Sequence, residues 1–157
     1  MAYGHIYTLR HVATTSTAIT FLQLKTGAAS PALLLSYGVS QRGSVTLAQE
    51  DIAIVRKTAA ATVTTAVAGT HLFKHRTGDP TADASLGTSA TGVIGTVEGT
   101  DGDILDQPAF NVLGGHREVW IPDGRIHVPA GGIIALKFLN APASQSFRGW
   151  MTFMELG

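Results

Sequence analysis

Residues 147–157 read Phe-Arg-Gly-Trp-Met-Thr-Phe-Met-Glu-Leu-Gly. Phe147, Met151 and Phe153 share one parity of this stretch, and Trp150, Met154 and Leu156 share the other. Successive side chains of a strand point to opposite faces, so the stretch predicts a strand that is apolar on both sides and covered on both sides. Just upstream, residues 126–132 read IHVPAGG, a strand end followed by a Pro-Gly turn, and residues 133–139 read IIALKFL, a second strand.

Working outward, the same punctuation recurs. Eighteen glycines and frequent Thr and Pro break the apolar runs into short pieces. Ile6–Val12, Ala18–Lys25, Ala32–Val39, Asp51–Lys57 and Thr62–Val67 read as strands, with Ile52, Ile54 and Arg56 alternating against Ala53, Val55 and Lys57. Gly92–Val97, Phe110–Leu113 and Glu118–Ile121 are shorter strands. Residues 75–92 form the longest expected loop, and residues 140–146 a second. Helix is expected only as a single turn over Ser44–Glu50 and an Ala-rich stretch at Thr58–Ala61 too short to stand alone. The expectation is an all-β chain, a β-sandwich or jelly roll of about 8–10 short strands with little or no helix. The 157 residues suit a single sandwich domain spanning the chain, with residues 1–12 a docking strand or arm at its N-terminus.

Composition narrows the function classes. Eleven basic and eleven acidic side chains cancel, leaving none of the basic excess that marks a nucleic-acid binder. Charged residues are 14% and hydrophobic residues 45%, a surface expected to be covered in part by other subunits. With no Cys, disulfide frameworks, thiol catalysis and Cys-rich zinc sites fall away, which fits a reducing birthplace in a cytoplasm. No run of about 18 apolar residues predicts a membrane helix, and the first ten residues lack the layout of a signal peptide.

Motifs for catalysis or metal binding are incomplete. His116 and Glu118 share a strand face near His127, as in a cupin, but the His-x-His pair a cupin needs is missing. His71 and His75 lie four apart outside any HExxH. Asp101, Asp103 and Asp106 could offer oxygens to calcium, yet the EF-hand spacing fails, and a solvated turn is the simpler reading. Glu98 with Asp101 or Asp103 would make a glycosidase pair only in a cleft with one raised pKa. The expectation is therefore no catalytic residue, no cofactor, no metal and no enzyme activity. Contact residues are placed instead in the N-terminal segment, where Tyr3, His5, Tyr7, Arg10 and His11 combine aromatic and cationic groups.

Two resemblances sharpen this. The closing Phe-x-Gly-x-x-x-Phe strand of residues 147–153 resembles the last strand of trimeric jelly rolls of the tumour-necrosis-factor and C1q type, which implies a last strand central in its sheet and a homotrimer. The layout of the chain, through Val39–Gln41 (VSQ), Ile52–Thr58 (IAIVRKT), Gly99–Asp103 (GTDGD), Phe110-Asn111 and the VPAGG turn, resembles small virion proteins of tailed bacteriophages. That resemblance implies a capsid decoration or minor capsid protein located in the virion, with the major capsid protein and copies of itself as partners and neither nucleic acid nor membrane. A receptor- or carbohydrate-binding tail or fibre module is the alternative, and a cupin-like metal enzyme a more distant one.

Overall fold

The computed structural model describes residues 4–43, 47–142 and 144–157. Among them are thirteen strands and one short 3-10 turn, Pro122–Gly124. The strands are β1 (His5–Thr15), β2 (Thr20–Lys25), β3 (Ala32–Arg42), β4 (Gln49–Ala59), β5 (Thr62–Thr65), β6 (Leu72–Lys74) and β7 (Gly92–Val97). They continue with β8 (Thr100–Asp106), β9 (Ala109–Asn111), β10 (His116–Val119), β11 (Ile126–Val128), β12 (Ile133–Phe138) and β13 (Gln145–Glu155).

Two antiparallel sheets face each other. One runs β10-β3-β13-β1-β6 with β11 also on β3, and the other runs β5-β7-β2-β12-β4-β8 with β9 also on β4. The first four long strands alternate between the sheets, and the last two do the same. The result is a pair of four-strand sets, β1-β13-β3-β10 and β2-β12-β4-β8, packed as a sandwich. The final strand lies between β3 and β1, at the middle of its sheet.

The core follows from alternation. Tyr7 and Leu9 of β1, Leu34 and Tyr37 of β3, Ile52 and Ile54 of β4, Leu136 and Phe138 of β12, and Phe147, Met151 and Phe153 of β13 are buried together. Each such side chain stabilises the fold by about 1.5–3 kcal/mol relative to an exposed position. Phe138 of β12 meets the ring of Phe147 in the facing sheet at 4.8 Å and that of Phe21 on neighbouring β2 at 5.7 Å, between centroids. Gly149 faces inward without a side chain, and the Phe21 ring occupies the space a Cβ would need.

Three expectations are corrected. The outer face of β13 is not covered by a second layer. Trp150 and Met154 are only partly buried there and Arg148 is exposed, because the indole lies flat over Gly38 of β3 and the Met154 side chain over Gly4. The acidic stretch 100–106 is a strand, β8, and not a turn; its run of acidic residues masked the pairing with β4, whose register shifts at three points. The helical turn expected over Ser44–Glu50 gives way at its described end to β4, which already includes Gln49 and Glu50 paired with β9; residues 44–46 lie outside the described residues. Thr58 and Ala59 likewise continue β4.

Candidate functional site: a cationic cleft beside the first strand

Of the five contact residues expected from the sequence, Tyr3 lies outside the described residues. The other four lie on β1, which is registered residue for residue against β13 from His5↔Glu155 to Thr15↔Gln145. Tyr7 is 1% exposed, so it is a core residue and not a contact residue. Its hydroxyl donates to the Pro80 carbonyl at 3.1 Å, and its ring tilts against Phe153. His5 is exposed and bonded through Nδ1 to Asp79 at 3.1 Å.

Arg10 and His11 stand elsewhere. β6 pairs with β1 only over Tyr7–Leu9, and the Arg10 N–H donates to the His71 carbonyl at 2.8 Å as the last rung. Beyond it no strand among the described residues pairs with β1 on this side, and a cleft of about 400 Å³ opens between Arg10, His11, Val12, Thr70, His71 and Arg148. Arg10 and Arg148 point from the outer face of neighbouring strands, since Arg10 opposes Trp150 and Val12 opposes Arg148. The Arg10 guanidinium stacks 3.8 Å from the centroid of Phe73. His11 and His71 meet edge to face at 5.1 Å. Burial lowers the pKa of both rings, and for His11 the neighbouring His71 lowers it further. The Val67 N–H donates to His71 Nδ1 at 3.1 Å, which places the proton of the neutral ring on Nε2.

A second charged group sits on the outer face of the other sheet. Lys57 of β4 reaches Glu98 at 3.1 Å and Asp101 at 2.7 Å, and Lys137 of β12 reaches the same carboxylates at 3.3 and 2.6 Å. Glu98 also accepts from the backbone N–H and the hydroxyl of Thr20, at 2.5 and 2.8 Å. Burial alone would raise the Glu98 carboxyl, but the bonds from Thr20 and Lys57 outweigh it and hold it below its usual value. Burial would likewise raise the Asp101 carboxyl, but the bonds and charges of Lys137 and Lys57 outweigh it and hold it below its usual value.

This arrangement answers two of the acidic readings. Glu98 is held ionised, the opposite of what a glycosidase acid requires. Both Asp101 oxygens already accept from a lysine, and Asp106 accepts from the Tyr37 hydroxyl at 2.6 Å. His116 packs its ring against Tyr37 and Phe110. Among the described residues no three His, Asp or Glu gather in a way that could hold a metal.

The sequence pointed to Arg10 and His11 but not to their neighbours. His71 drew notice only for its spacing from His75, and Arg148 none, because both join the cleft through strand pairing between distant parts of the chain. No protein-family model, no curated protein and no solved structure matches this chain.

Proposed function

We propose that this chain is a structural virion protein, a jelly-roll subunit that associates with copies of itself as a homotrimer and reinforces a tailed-phage shell by bridging subunits of the major capsid protein. The phage assignment rests on the sequence resemblance alone. The observation that supports assembly is an apolar rim. The register Gln49↔Asn111, with the Val112 N–H bonded to the Ala48 carbonyl, sets Leu47 against Leu113, and these two are 72% and 58% exposed. Val119 and Ile121, at the β10 end of the other sheet, are 56% and 73% exposed. On a chain of zero net charge, such side chains favour burial against another subunit. Binding to the assembled shell but not to its separated subunits would stabilise the shell by mass action.

The test has two readouts. Light scattering at micromolar concentration should give a mass well above 16.4 kDa, and the protein should co-sediment with undecorated capsids. Leu47→Asp with Leu113→Asp should reduce both while leaving the fold intact. A monomer that ignores capsids overturns the reading. A receptor- or carbohydrate-binding tail module is the second reading, favoured by the cleft beside β1.

A further inference from the structure

The cleft at the end of β6 gathers cations without their counterparts. Arg10, His11, His71 and Arg148 line it, and no Asp or Glu does. Among the described residues neither guanidinium has a carboxylate partner. Stacking on Phe73 holds Arg10 in place without neutralising it. Two guanidiniums on one face of neighbouring strands repel each other, and that cost is recovered only when an anion sits between them. The planar fork of each is shaped to take two oxygens at once. The Thr70 hydroxyl and His71, whose neutral ring carries its proton on Nε2, add neutral donors. At about 400 Å³ the space exceeds a bare oxyanion and falls in the range of small-ligand pockets.

We propose that this cleft binds a tetrahedral oxyanion, a phosphate or sulfate group carried as a monoester on a small polar molecule, with Arg10 and Arg148 as its two clamps. Arg10 supplies a stacked, preorganised fork from β1, and Arg148 closes from β13. Thr70 and His71 close the side left open by the short β6. The site is independent of the apolar rim and stands whether or not the chain joins a shell.

The groups facing the two imidazoles are Arg10, Arg148 and Thr70, none of them an acid. Protonation of His11 and His71 therefore adds charge of the sign the ligand needs, so binding of a sulfate ester, whose own charge is fixed, tightens as pH falls below 6.5.

Calorimetric titration of the full chain at low salt tests this, using inorganic phosphate, inorganic sulfate, glucose 6-phosphate and glucose 6-sulfate. Saturable binding of at least one anion is expected at concentrations below about 10 mM. A preference for the esters over the free ions identifies a carried group, and equal affinity identifies the free ion as the ligand of this same site. Arg148→Ala should weaken binding about tenfold or more, and Arg10→Lys should also weaken it, because an ammonium cannot replace a stacked fork. Arg76→Ala, past the far end of β6, should leave it unchanged. Melting curves of each variant show that the fold is retained. No saturable binding by any of the four anions, or unaltered affinity in Arg148→Ala, overturns the proposal.

Discussion

The two sheets carry a charged cluster each on their outer faces, and the clusters are built on opposite principles. On one, Lys57 and Lys137 interlock with Glu98 and Asp101, two positive groups against two negative, with all four contacts at 3.3 Å or less. On the other, Arg10 and Arg148 line one cleft that has no carboxylate among its lining residues. The first cluster is complete within the chain, and its Lys57 side chain is 0% exposed. An amine so placed is tolerable only because its counter-charges are fixed beside it. The second is incomplete and open to water. Charge satisfied internally ties strands together, whereas charge left unsatisfied at a cleft is available to something outside the chain.

The sharpest way to break this contrast is to strip the first cluster of its acids. Glu98→Ala combined with Asp101→Ala leaves the Lys57 ammonium buried with no partner and the Thr20 N–H without its acceptor. Such a change should cost about 3–5 kcal/mol. Urea denaturation reads it as a lower midpoint at nearly constant slope. A loss below about 1 kcal/mol would mean that water replaces the carboxylates freely and that the two clusters do not differ in kind.

Why the sequence revealed one part of this and hid the other is a matter of range. Alternation within a strand is local, so Ile52 and Ile54 could be set against Ala53 and Val55, and the architecture class followed. β13 showed both its apolar faces in the same way, but not that Gly38 would let Trp150 lie flat and leave the outer face half open. β6 has three residues and β8 exposes Asp101 and Asp103, so neither carries an apolar period to detect. The charged clusters depend on register between strands distant in sequence, as Val12↔Arg148 and Lys57↔Asp101 illustrate. Arg10 and His11 drew notice as chemical types, but their partners could be found only after the sheets were paired.

The clusters should also part company in their response to pH. Glu98 and Asp101 lie below their usual values of 4.5 and 3.8, so their contribution is present above those values and is lost as pH falls through the lower folded ones. Lys137 is raised above 10.5 despite burial, through Asp101 and Glu98, so its contribution is lost only as pH rises past that value. His11 and His71 are lowered from 6.5, chiefly by burial, so the unfolded chain takes up protons first and stability declines as pH falls from 6.5 through their folded values. Between these limits the cleft loosens while the ion-pair cluster stays intact. Glu155 acts in the opposite sense: burial raises its carboxyl, and its two N–H donors from Asp83 and Ala84 do not offset this. Melting temperatures across about pH 7 to 5 should therefore fall in the parent chain and fall less in His11→Asn with His71→Gln, which isolates the cleft from Glu155. Identical slopes in the two proteins would remove the imidazoles from the comparison.

The smallest expected effect is the most discriminating. Arg148→Ala removes a full charge from the centre of the second cluster, yet nothing in the chain depends on that charge. Its strand neighbours Phe147 and Gly149 face the core, while Arg148 itself is exposed on the outer side. Stability should change by no more than about 0.5 kcal/mol, the range of an unpartnered surface substitution. The sign should be slightly favourable at low salt, because one source of repulsion against Arg10 is gone. That small gain should vanish near 1 M salt, where the screening length shrinks to about 3 Å. A loss above about 1.5 kcal/mol would show that Arg148 stabilises the strand pair as Lys57 does, and the difference between a cluster complete in itself and one awaiting an anion would collapse.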